Sequence, residues 1–132
     1  MRRLELVARS VLRAERVGQA LLSIALVSKA RIAALNAAHL NRRRPTDVIA
    51  FGFRRDPAGP VVGDIYIAPV VARANARLHG VSIREELSRL VVHGVLHVLG
   101  YDHPEGPGRE RSDMWRRQER LLARALRSAA AA

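Results

Sequence analysis

Ser82–Gly100, SIREELSRLVVHGVLHVLG, is the stretch on which the reading of the fold turns. Ser82 followed three residues later by Glu85 is a capping box, which marks a helix start. Ile83, Leu87, Leu90, Val91, Val95, Val98 and Leu99 then recur at helical spacing, and Gly100 supplies the stop. From Leu90 to Leu99 the helix is apolar nearly all round, the pattern of a central buried helix. Two residues break that pattern, His93 and His97. Four apart, they share one helix face and both imidazoles can reach one ion.

Outward from this helix, VLRAERVGQALL (Val11–Leu22) has helical spacing, and LLSIALVS (Leu21–Ser28) reads as a strand. KARIAALNAAHL (Lys29–Leu40) follows as a helix. Pro45 disfavours helix in the residue before it, so Asp47–Phe53 runs extended. VVGDIYIAP (Val61–Pro69) is a further strand across the loop RRDPAGP, and the two suggest an antiparallel hairpin of open register. VVARANARLHG reads as a short helix ended by Gly80. A last helix spans roughly Arg109–Arg127, with Met114, Trp115, Leu122 and Leu126 as its inner face and Arg116 and Arg117 on an exposed one. The 132 residues make one small α+β domain, with 128–132 a frayed tail.

Cysteine is absent, so any metal is held by His, Asp or Glu. No apolar run approaches the roughly 18 residues that span a bilayer, and the N-terminus lacks a signal-peptide core, so the default is a soluble cytoplasmic protein with no membrane partner. The formal net charge is +11, and every cationic side chain except Lys29 is arginine. Arginine binds phosphate through a planar fork, so the imbalance favours a nucleic acid or other polyanion. A GC-rich genome accounts for the missing lysines but not for the positive excess.

Beyond Gly100, His103 returns from a non-helical segment and completes H-x-x-x-H-x-x-G-x-x-H. Three imidazoles leave a fourth tetrahedral position open to water, the pattern of a catalytic zinc; nickel, cobalt and copper also suit histidine ligands. A single core histidine is more often structural, and His39 and His79 are read that way. Three buried imidazoles would cost several kcal/mol without partners, and one ion offsets all three. The frame is that of metzincin peptidases, except that Gly94 stands where their general base, a glutamate, belongs. Gly94 also suits close packing against a strand. Asp102 either orients a ligand imidazole or closes the turn. Asp64 faces the site or, as favoured here, solvent. Tyr66 and Tyr101 stack bases or fill the core. Arg42, Arg43 and Arg44 grip phosphates or form a solvated run.

LVVHGVLHVLGYDH (Leu90–His103) resembles the signature of the YbeY endoribonucleases, the bacterial rRNA maturation factors. PTDVIAFGF (Pro45–Phe53) is similar to that family's PTDVLSFPF, GDIYIAP (Gly63–Pro69) to its GDIVISP, and MWRRQERLL (Met114–Leu122) to its closing helix. The resemblance covers roughly Leu21–Leu122. It implies a zinc-type site on His93, His97 and His103, metal-dependent cleavage of single-stranded RNA, and work on small-subunit rRNA ends and in ribosome quality control. Ribosomal or ribosome-assembly proteins become possible partners; oligomeric state is left open. The implied fold packs the zinc helix on a mixed sheet of about four strands, with a metzincin-like site. Many members carry Tyr-Arg where this chain has His39 and Leu40, so either Arg42, Arg43 and Arg44 take over phosphate contact or the site lacks that helper. Only LELVA (Leu4–Ala8) remains for the family's N-terminal edge strand. Two other readings stay open: a zinc peptidase on the same frame, and a non-catalytic ribosome-associated zinc protein.

Overall fold

Residues 1–40, 46–53, 56, 58–102, 108, 110 and 112–131 are described in a computed structural model of the chain. The middle strand organises them. β3 (Val61–Ile67) alternates strictly, with Val61, Gly63, Ile65 and Ile67 buried and Val62, Asp64 and Tyr66 half-buried, so a helical layer covers each face unequally. β1 (Ala20–Leu26) pairs parallel to it and β2 (Val48–Gly52) antiparallel, in the order β1-β3-β2. The antiparallel pair is the hairpin read from sequence, with Val48 opposite Ile67 and Gly52 opposite Gly63.

α2 (Lys29–Leu40) covers one face, where Ile32 and Leu35 meet Ile49, Phe51 and Tyr66. The other face carries the larger core. There α4 (Ile83–Val98) lies on β2 and β3 and is flanked by α1 (Arg2–Ala14), α3 (Pro69–His79) and α5 (Asp113–Ala131). Ser82 Oγ accepts from the Glu85 amide at 3.0 Å, as the capping box requires, but the Glu85 carboxylate turns to Arg89 instead of returning to Ser82. Leu90–Leu96 are all buried, His93 and Gly94 among them. Each buried Val or Leu contributes about 1.5–3 kcal/mol relative to exposure, so this run dominates the core. Gly80 (φ 68°) terminates α3 in the left-handed region, as read from sequence.

Several expectations are corrected. The first helix begins upstream of Val11–Leu22 and shares only its first turn, Val11–Ala14: Leu4, Val7, Ala8 and Val11 form its buried stripe, and it stops at Ala14, before Arg16 turns left-handed (φ 59°). LELVA is therefore helical and supplies no edge strand. The sheet has three strands among the described residues, against about four expected. Its β1 edge leaves Leu21 73% exposed. α5 starts at Asp113, and it continues to Ala131 through the tail expected to fray. Arg117 is not simply an exposed side chain, since it reaches Glu15 Oε2 at 3.0 Å. Within β3, Asp64 is half-buried and accepts from Ser23 Oγ on the neighbouring strand at 2.6 Å.

Three glycines let α4 sit closely on the sheet: Gly52, where a Cβ would come 3.0 Å from the Val98 carbonyl oxygen, and, more tightly, Gly94 and Gly63. A Cβ at Gly94 would come 2.8 Å from Ile65 Cγ2, and one at Gly63 would come 2.6 Å from Val98 Cγ1 and 2.7 Å from the Phe51 carbonyl oxygen. Overpacking of this kind costs about 1–3 kcal/mol. At Gly94 the helix preference for alanine returns up to about 1 kcal/mol, whereas Gly63 meets backbone and gets no such offset. Gly63→Ala should thus lower the urea midpoint clearly and Gly94→Ala by less. A Gly94→Ala protein more stable than the parent would contradict the close contact with Ile65.

Candidate metal centre

His93 and His97 sit one turn apart on α4, and the packing turns them together. Their Nε2 atoms lie 3.0 Å apart, with ring centroids 4.5 Å apart and the planes at 77°. Two imidazole nitrogens at about 2.0–2.1 Å from one tetrahedral ion stand about 3.3 Å apart, so the pair is close to the spacing a shared ion requires. The donor set fits a divalent ion.

The orientation of His93 is fixed from behind. Its Nδ1 lies 2.6 Å from Gln118 Oε1 on α5. The amide of Gln118 is itself oriented, because its Nε2 donates to Glu119 Oε2 at 3.1 Å. Glu119 is in turn held by Arg89, whose Nε and Nη2 reach its two oxygens at 3.0 and 3.2 Å. Arg89 also binds Glu85 and Glu86 at 3.0 Å each. Burial works against its charge, yet the carboxylates, Glu119 foremost, hold its pKa above the usual arginine value. With Gln118 oxygen toward the ring, His93 Nδ1 carries the hydrogen and donates, which leaves the Nε2 lone pair turned toward His97. A histidine whose far nitrogen donates to a fixed oxygen is the usual support of a metal ligand.

Gln118 was not singled out by sequence reasoning. Its signal was position: it falls on the stripe Met114, Leu122 and Ala125, and it is 1% exposed. A buried amide among apolar neighbours needs a partner, and the partner is His93. The segment after α4 is tethered as well. The Tyr101 hydroxyl donates to Glu15 Oε1, which Arg117 shares through Oε2, and the Arg117 guanidinium lies 5.0 Å from the Tyr101 ring centroid. The Glu15 contact raises the Tyr101 phenol above its ordinary pKa. Tyr101 is thus a clamp and not a base platform, and Tyr66 packs edge-on against Phe51.

Asp102, exposed, follows directly after Tyr101. His103, Arg42, Arg43 and Arg44 lie outside the described residues. Among the described residues no three His, Cys, Asp or Glu side chains stand together as a metal site, so the structure brings together His93 and His97 of the three expected ligands. Position 94 faces Ile65. A glutamate there would meet the sheet, so the peptidase frame lacks room for its base as well as the base itself.

A family model described as Endoribonuclease YbeY matches residues 2–126. An "Endoribonuclease YbeY" of Frankia alni is 40% identical over 134 residues, covering 92% of this chain and 72% of that protein. Its namesakes from Thermotoga maritima and Aquifex aeolicus are 33% and 37% identical, over 80% and 68% of this chain and 68% and 61% of theirs. The chain therefore spans about two thirds of the length of these relatives. The solution structure of a Thermotoga maritima protein matches with a TM-score of 0.64 at 27% identity, over 98% of this chain and 85% of that one. With the match running from α1 through α5 and the histidine helix at its centre, the chain belongs to the endoribonuclease YbeY family.

Proposed function

We propose that this chain is a metal-dependent endoribonuclease that cuts single-stranded RNA in rRNA maturation and ribosome quality control, with small-subunit rRNA ends as its substrate. The observation that carries the reading is the convergence of the His93 and His97 Nε2 atoms, with Gln118 fixing the ring of His93. His103, three residues beyond Gly100, is the third ligand, and zinc the preferred ion, with nickel or cobalt as substitutes. When bound, the ion would supply Lewis acidity toward water and toward a phosphoryl oxygen.

The chain's own residues do the rest. The Arg89, Glu119 and Gln118 series holds His93 in one tautomer, so no ring rotation accompanies the reaction. The Tyr101 clamp fixes the chain directly ahead of Asp102, and Asp102 orients a ligand. Arg42, Arg43 and Arg44 draw in the RNA backbone in place of the arginine that position 40 lacks. No helix among the described residues is long and apolar enough to cross a membrane, and the proposed place of work is the cytoplasm, on the ribosomal small subunit and its assembly proteins.

Three measurements test this. His97→Ala should lose both bound metal, by elemental analysis of the purified protein, and cleavage of a short single-stranded RNA; undiminished cleavage by metal-free His97→Ala would sink the reading. Gln118→Met, similar in size but unable to accept from Nδ1, should weaken metal binding about 10–100-fold. Gln118→Glu, which keeps an accepting oxygen, should retain most of the affinity in the same competition titration. Neutralising Arg42, Arg43 and Arg44 together should reduce the slope of log affinity against log salt by about 2, given roughly 0.7 per contact with a single strand. An unchanged slope would remove those residues from the RNA footprint.

A further inference from the structure

His93 belongs to a second feature as well. Its imidazole forms part of the wall of a cavity of about 430 Å³, bounded also by Asp47, Asn75, Glu110, Trp115 and Glu119. That volume lies within the range of about 300–1,000 Å³ usual for small-molecule sites. The lining discriminates sharply by charge. Asp47, Glu110 and Glu119 are acidic, and Arg89, the guanidinium in the wall, is already engaged by Glu85, Glu86 and Glu119. A phosphate entering here meets like charge, although the chain as a whole is strongly cationic. What fits is the uncharged part of a nucleotide.

Two further observations narrow the ligand. Trp115, the single tryptophan of the chain, is half-buried at the wall and offers an indole on which a flat base can stack. Opposite chemistry comes from Asp47 and Asn75. Asn75 Nδ2 donates one of its two hydrogens to Asp47 Oδ2 at 3.1 Å, so the pair offers a ligand mainly carboxylate and carbonyl oxygens, which only accept, beside one remaining amide N–H. Acceptors outnumber donors in this wall, His79 and the second Asn75 N–H being among the exceptions, and the balance selects donors: the exocyclic amino groups of adenine, cytosine or guanine. Uracil has a single ring N–H between two carbonyls, which face oxygen with oxygen.

We propose that this cavity takes a nucleobase bearing an exocyclic amino group, turned out of a single strand next to the phosphate held at the metal centre. The proposal rests on the endoribonuclease reading for the position of the phosphate, not for the pocket itself. It supplies a physical reason for single-strand preference, because a paired base has its amino edge occupied and cannot leave the stack without losing its partner.

Trp115 fluorescence of the full chain, in EDTA, is the first measurement, with adenosine, cytidine, guanosine and uridine as probes. Saturable quenching is expected from the amino-bearing nucleosides, at least about tenfold tighter than from uridine, as a charge-assisted hydrogen bond implies. Asp47→Asn, with its thermal transition checked, should narrow that preference about tenfold. The second measurement needs no variant: in a short RNA carrying one abasic residue at successive positions, kcat/KM should fall about tenfold or more only when the gap adjoins the cleaved bond. No saturable quenching by any nucleoside, or a flat abasic scan, overturns the proposal even if RNA is cleaved. Should the chain cleave no RNA at all, the titration in EDTA still decides the pocket by itself.

Discussion

The close seat of α4 on β3, set by the absence of side chains at Gly94 and Gly63, is the constraint on which the site depends. A helix buried on nearly every side has no freedom to roll, because each face is already in contact with a different neighbour. Ile65 takes the Gly94 side, and α1, α3 and α5 take the others. The imidazoles of His93 and His97 are left with one direction each. That immobility matters for a ligand pair, since a ring free to turn would spend binding energy on being ordered. The same packing leaves no place beside His93 for the carboxylate a peptidase requires, so one glycine both builds the site and narrows its chemistry.

Fold and site were legible where the signals were local. The start of α4 was written in Ser82 and Glu85, its burial in Leu90–Leu99, and the end of α3 in Gly80. The bounds of α2 and the β2–β3 hairpin also followed from neighbouring residues. The N-terminus is not legible for a physical reason: Val11–Leu22 has helical spacing, but Arg16 adopts a left-handed conformation that its residue type does not announce, and pairing with β3 claims Ala20 onward. Parallel pairing of β1 with β3 joins residues about forty positions apart, and no short window carries that. Gln118 was hidden differently. A glutamine on an amphipathic helix is ordinarily a surface residue, and only its phase with Met114 and Leu122 could have placed it inside.

Arg89 shows how a polar network can serve an apolar core. A guanidinium with five donors satisfies Glu85, Glu86 and Glu119 together, and Glu86 is nearly buried. Removing one member would strand the others, so the cluster is better understood as a rigid mount than as a store of stability. What it mounts is Gln118, and through it the ring of His93. The chain of contacts runs from a charged group near the surface to the Nε2 lone pair proposed to meet the ion.

Charge accounting gives this arrangement a second meaning. Twelve carboxylates face 23 cationic side chains. Among the described residues, Arg89, Arg116 and Arg117 between them engage Glu85, Glu86, Glu119, Asp113 and Glu15. Few cations thus absorb many carboxylates, and Asp47 and Asp64 are bonded to neutral side chains. This pairing leaves the net charge unchanged but spreads it unevenly, because the acids gathered around these arginines leave the other cations in greater local excess. An RNA approaching such a surface meets attraction over the arginines and repulsion at the acid-lined cavity beside His93. Its backbone and its bases are sorted by charge before any hydrogen bond forms.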